Sequence, residues 1–322
     1  MAMGRAATSA HATTITAAPP AAAPAPATSM ALPVTVENGA FTVVAEAGLE
    51  DLAATLARAA PGAMAAIATD LPDLPRAGGV QIRLVDDAAD LARVAPPGYR
   101  VPPWADGVAF PQKRVVAIAR RRGSQEINTG ATLRHELSHV ALYAATSGKA
   151  PRWLSEGFAY LHSPELSEAR VRTLVGIAWG GEVIPLGDLA HGFPAQDARA
   201  QRAYAESYDF VAYLAGRGRY PDAGDDGDRW PFRQLIAHIA AGKSAADAAH
   251  DAFGQPLDKL WSEWLESVRK HYFLAPVGLF SLAVWVFGAL LLMLAYIRKR
   301  RAGRRILASW EEDEDRLQVD LT

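Results

Sequence analysis

The hydrophobic positions change period once along the chain. In the first part they alternate. "FTVVAEA" is rich in β-branched residues and predicts a strand over Phe41–Glu46, and "VQIRLV" predicts a second over Val80–Val85. "GVAF" and "KRVVAIARR", on either side of Pro111 and Gln112, predict a hairpin whose second strand runs from Arg114 to Ala119. Between the first two strands, "LEDLAATLARAAPGAMAAIATDL" has apolar residues at helical spacing. An interruption is expected near Pro61 and Gly62, because proline has no N–H to give and crowds the preceding turn. "DDAADLARVA" predicts a short helix opened by Asp86 or Asp87, and "PPGYRVPPWADG" predicts a loop. Beyond it nearly every run is helical, at about 129–146, 152–162, 165–177, 200–216, 230–241, 244–252 and 256–272. No internal repeat is visible. Strands followed by helices over 34–272 read as a single α+β domain.

The flanks have a different character. Residues 1–33 are mostly Ala, Pro, Thr and Ser, a composition that cannot bury enough apolar surface to order itself. They suit either a disordered leader or a weak signal peptide with Arg5 in its basic region. "FLAPVGLFSLAVWVFGALLLMLAYI", Phe273 to Ile297, carries no charge. At about 1.5 Å per residue it is long enough for a hydrocarbon core of about 30 Å, so a transmembrane helix is expected here. Tyr272 and Tyr296 fall at its two ends, where aromatic rings favour the membrane interface. "RKRRAGRR" follows at once, with six basic residues in eight, whereas Arg269 and Lys270 alone stand close before it. The asymmetry places the basic-then-acidic tail, residues 298–322, in the cytoplasm. The body then lies outside it, on a single-pass cell-membrane anchor in contact with lipid.

Composition narrows the chemistry. A formal net charge of −2 over 322 residues gives no basic surface for nucleic acid. With no cysteine there is no disulfide, thiolate ligand or cysteine nucleophile, so any metal must be held by His, Asp or Glu. The stretch that fits this is "LRHELSHVAL". On a helix, His135 and His139 share a face one turn apart and can bind one Zn²⁺, with Glu136 beside them as a base. Two satisfied histidines would give the same five letters, so a third ligand decides. Residue 145, where a third histidine could follow, is Ala. In "TSGKAPRWLSEGFAYL", Gly148 suits a turn and Pro151 a helix start, which brings Glu156 back to face the histidines from an antiparallel helix.

"HELSH" followed by "WLSEGFAYL" resembles the gluzincin metallopeptidases, and most closely the peptidase MA-like domains related to large zinc aminopeptidases. The resemblance implies a zincin-like catalytic domain: a small N-terminal mixed sheet, an active-site helix and a helical C-terminal part. It implies His135, His139 and Glu156 as metal ligands for one Zn²⁺ per chain, and Glu136 as the catalytic base. "AYAESYDFVAYL" is similar to the helix that carries an oxyanion-binding tyrosine, by alignment Tyr204, with Tyr208 one turn on as the fallback. The spacing from His139 to Glu156 is two residues shorter than in the aminopeptidases, and their Gly-x-Met-Glu-Asn loop is missing. An endopeptidase is therefore the implied type. The fold also places an edge strand above the active-site helix, and Arg114 to Ala119 is the expected one.

The expected activity is zinc-dependent hydrolysis of peptide or protein substrates by a membrane-anchored enzyme. The alternative is a non-catalytic membrane-anchored binding or assembly protein that keeps the scaffold, although such a protein has no use for Glu136. His162, His191, His238, His250 and His271 read as structural or exposed, with His191 the one nearest a substrate role.

Overall fold

A strand that the alternation did not announce, Val34–Asn38 (β1), pairs antiparallel with Phe41–Ala45 (β2). The turn between them needs Gly39, whose φ is 59°. In this computed structural model, residues 30–163, 168–191, 193, 197–216, 230–273 and 284–301 are described. Val80–Asp87 (β3) lies parallel to β2. The expected hairpin forms from Gly107–Phe110 (β4) and Val115–Arg122 (β5), joined by a 3-10 turn over Pro111–Lys113. A short Gln125–Glu126 (β6) pairs with the end of β5, and the sheet order is β1-β2-β3-β5-β4.

That order corrects one expectation. Arg114–Ala119 is not the edge strand, because β5 is paired on both sides, parallel to β3 and antiparallel to β4. The reason lies in its "VVAIA". Val116 and Ile118 join the main core, while Val115, Ala117 and Ala119 join Val85, Leu91 and Phe110 in a smaller one on the other face. A strand apolar on both faces belongs inside a sheet, and the shorter, less buried β4 takes the edge.

Glu50–Ala68 (α1) is a second correction, since it runs unbroken through Pro61. A proline leaves the carbonyl four residues back, here that of Ala57, without its helical donor. The Asn38 side chain supplies the replacement, donating from Nδ2 to the Ala57 carbonyl at 2.9 Å. We expect Asn38→Ala to lower stability by about 1 kcal/mol, read as a lower urea midpoint with an unchanged slope. No shift in the midpoint would mean that the carbonyl is served by solvent.

Ala88–Arg93 is a 3-10 turn, and Asp87 caps it by accepting from the Ala89 N–H at 3.0 Å. The helical part follows as Thr129–Thr146 (α2), Arg152–His162 (α3), Glu168–Ala178 (α4), Leu186–His191 (α5), Asp197–Gly216 (α6), Trp230–Ala240 (α7), Ala245–Phe253 (α8) and Leu257–Tyr272 (α9). α5 was not anticipated; at six residues it is too short to show a period. The mixed sheet with its helical bulk is the α+β arrangement of a zincin-like domain.

α3 and α6 meet where a side chain would not fit. A Cβ on Gly157 would collide with the Val211 side chain and the Ser207 carbonyl. Trp153 and Phe210, with ring centroids 5.2 Å apart, continue the contact. The glycine next to Glu156 is thus what lets the helix carrying that carboxylate settle against the helix carrying Tyr204.

The expected membrane span, Phe273–Ile297, is described at Phe273 and from residue 284 onward; its remainder, like residues 1–29 and 302–322, lies outside the described residues. A helix covers 284–301, and its apolar side chains, Trp285, Phe287 and Leu292 among them, are exposed. Among the described residues no helix is long and apolar enough to cross a membrane.

Candidate metal centre

α2 starts at an Asn128 cap, whose side chain accepts from the Ala131 N–H at 3.1 Å, and packs its apolar residues Leu133, Leu137 and Val140 into the core. The helix ends in a tight left-handed turn, with φ of 54° at Ser147 and 73° at Gly148, and Pro151 caps the start of α3. This short connection returns the chain antiparallel, so the polar stripe of α2 meets Glu156.

Three donors converge there. His135 Nε2 and His139 Nε2 are 3.3 Å apart, and Glu156 Oε2 stands 3.8 and 3.7 Å from them. All three ligand atoms lie within 4.8 Å of one another, so the group can hold a metal ion. Tetrahedral ligands at about 2.0–2.1 Å from zinc are about 3.3–3.4 Å apart. The histidine pair has that spacing already, and the carboxylate needs only a few tenths of an ångström.

The surroundings orient the donors. Ser163 gives its hydroxyl proton to the Ala159 carbonyl at 2.8 Å, so toward His135 Nδ1, at 3.3 Å, it accepts. His135 therefore carries its proton on Nδ1 and turns the Nε2 lone pair to the centre, the tautomer a metal ligand needs. Ser155 Oγ holds His139 Nδ1 at 3.0 Å. Arg152 grips the other carboxylate oxygen of Glu156, Oε1, at 2.7 Å, which leaves Oε2 to face the histidines.

The charges agree with a cation between these groups. Burial opposes ionisation of Glu156, but His139, His135 and Arg152 outweigh it and hold the carboxyl down at about 2. Burial pushes His139 down to about 4 against the pull of Glu156, so it is neutral and ready to ligate. Burial also opposes protonation of His135, yet Glu156 and Glu136 more than offset it and raise its pKa.

Glu136 is almost wholly buried beside the donor set without belonging to it. Burial, opposed by His135, together with the Glu156 charge brings it up to about 7, although the Ala109 amide hydrogen-bonds its carboxylate. Gly107 makes this closeness possible, since a Cβ there would run into Thr132 and stand 3.2 Å from Glu136 Oε1. All these groups line one cavity of about 650 Å³.

Of the two candidate tyrosines, Tyr204 lines the cavity and Tyr208 does not. Tyr208 instead receives the Arg170 guanidinium on its ring face, 4.1 Å from the centroid. The sequence reading missed Tyr160. It follows Glu156 by one helical turn, lines the same cavity and sets its ring 4.6 Å from that of His135. Burial, reinforced by Glu156, raises the pKa of both Tyr160 and Tyr204. Its signal was present in the quoted "WLSEGFAYL", four positions after Glu156. His191 is exposed and bonds the Gly187 carbonyl of its own helix through Nδ1 at 2.8 Å.

A search of curated proteins finds no match to the chain. The family model of the peptidase MA superfamily matches residues 87–270, more than half of the sequence, from the end of β3 to the end of α9. That stretch carries β4, both histidines and Glu156, and metal dependence is typical of the family. On this match, and on a donor set built to hold a metal, the chain belongs to the peptidase MA superfamily.

Proposed function

We propose that the protein is a membrane-anchored zinc endopeptidase of the gluzincin type, with His135, His139 and Glu156 as ligands and Glu136 as general base. The observation that carries this reading is Glu136: a buried carboxylate that is not a ligand, held between the donor set and the open edge of the sheet. A site that only bound metal for structure would gain nothing from a second buried carboxylate there. Zinc bound at these donors supplies Lewis acidity at the scissile carbonyl and makes water acidic enough to act as a nucleophile near neutral pH.

The chain's own groups do the rest. Ala119 N–H donates to the Asp106 carbonyl at 3.0 Å, which sets the alternation of the antiparallel β4–β5 ladder. Gly107 and Ala109 therefore direct their backbone groups to the open edge. The Ala109 N–H goes to Glu136, while its carbonyl and the Gly107 groups are placed to pair with an extended peptide. Glu136 accepts a proton from the attacking water and delivers it to the leaving amine. Tyr204 and Tyr160, kept protonated by burial, donate toward the oxyanion that develops on the carbonyl. No free carboxylate cluster lines this cavity among the described residues to capture a substrate's amino terminus, in keeping with cleavage inside a chain.

The uncharged stretch 273–297 and the basic run after it support a single-pass anchor with the catalytic domain outside the cytoplasm. The purified full chain is expected to cleave an unfolded protein such as reduced casein. A chelator should abolish this, and added zinc should restore it. Cleavage that persists after complete removal of metal would contradict the assignment. Protease treatment of intact cells should leave the C-terminal tail untouched; digestion of the tail from outside would reverse the orientation.

A further inference from the structure

Trp104 lines the cavity with half of its surface exposed. It sits in the loop of residues 96–106 that leads into β4. Exposed tryptophans on mobile loops are unremarkable, but this loop is fixed along its length. The Tyr99 ring meets Phe110 edge to face with centroids 5.2 Å apart, and Tyr99 N–H donates to the Pro96 carbonyl at 3.1 Å. Ala105 N–H closes a turn onto the Pro102 carbonyl at 3.1 Å. Arg122, reaching across from β5, holds the rest. Its guanidinium donates to the Pro103 carbonyl at 2.9 Å, to the Ala105 carbonyl at 2.7 Å and to the Asp106 carboxylate at 2.9 Å.

One arginine thus binds three successive points around Trp104, and the loop presents its indole with little freedom left to lose. Pro102, Ala105 and Pro111 line the cavity along the same stretch of chain, with Gln112 as its uncharged polar neighbour. Asp106, the carboxylate on this side, is neutralised by Arg122 at 2.8 Å. A peptide lying along Gly107 and Ala109 would carry one of its side chains to this wall.

We infer that Trp104 forms the wall of a specificity subsite for a large apolar or aromatic side chain of the substrate, and that Arg122 is the positioning residue that presents it. The inference rests on the peptidase reading. Apolar contact against a rigid aromatic face stabilises such a side chain, whereas a charged one would lose hydration there with no partner to replace it.

The test uses the zinc-loaded full chain in detergent and a set of internally quenched octapeptides of Ala, Gly and Ser. Each peptide has a single Phe, Leu or Glu moved through successive positions. At one position the wild type should favour Phe or Leu over Glu by about tenfold or more in kcat/KM. Trp104→Ala should bring that ratio toward unity, chiefly by raising KM for the Phe and Leu peptides, and Trp104→Phe should retain most of it. Arg122→Ala should erode the same ratio at the same position, since it frees the loop without touching the indole. A ratio unchanged in Trp104→Ala overturns the subsite and leaves the peptidase reading intact. Absence of cleavage of every peptide and of casein by the zinc-loaded wild type overturns both.

Discussion

Glu136→Gln is expected to keep its zinc and to lose peptide hydrolysis by about 10²–10⁴ in kcat, the usual range for removal of a general acid–base. The amide has the same shape, so it still fits under Gly107, and its carbonyl oxygen still accepts from the Ala109 N–H. It cannot take the proton. The ligands are untouched, because Glu136 is not among the three converging donors. Side-by-side zinc content and single-turnover hydrolysis of casein fragments check this directly; a variant with wild-type kcat would remove Glu136 from the mechanism. The ionised form is the one required, and in the metal-free site its carboxyl is raised to about 7. A bound cation favours the carboxylate and lowers that value. The wild-type acid limb of kcat/KM should therefore fall below about pH 7, with activity rising as pH increases through it.

Glu156→Ala is expected to weaken zinc binding by more than about a hundredfold, since loss of outer-sphere partners alone typically costs 10–100-fold and this removes a ligand. The fold should survive. The partner left behind, Arg152, is about half exposed in its side chain and can turn to water, so no uncompensated buried charge remains. Competition with a chromophoric chelator measures the affinity, and far-UV circular dichroism shows whether the helices persist. Wild-type zinc affinity in this variant would place the metal elsewhere. The histidine pair should change as well. With the carboxylate gone, His135 loses the largest influence raising its pKa, and burial then favours its neutral form.

How much of this was legible in the sequence depended on the range of the interaction involved. The proposed ligands His135 and His139 share one helix, and Glu156 stands on the next, behind a turn marked by Gly148 and Pro151. Local rules of spacing and capping were sufficient to bring the three together. The α2 and α3 bounds matched for the same reason. Pairings between distant segments were not legible. β5 was mistaken for the edge because "VVAIARR" shows a strand but not its neighbours. Its burial on two faces follows from β3 and β4 closing on it from opposite sides. Pro61 signalled a break that does not occur, since the donor that repairs the helix, Asn38, comes from a strand that period alone did not reveal. Tyr160 was passed over although it sits in the quoted motif. Its significance comes from facing the same cavity as Tyr204 across α3 and α6, a contact set by Gly157.

The proposed function requires one zinc ion between α2 and α3. The most direct measurement is an anomalous difference map, collected on either side of the zinc absorption edge, from crystals of the zinc-loaded chain. A single peak is expected within about 2.0–2.2 Å of His135 Nε2, His139 Nε2 and Glu156 Oε2. An ordered, zinc-soaked crystal with no peak between these three side chains would contradict it.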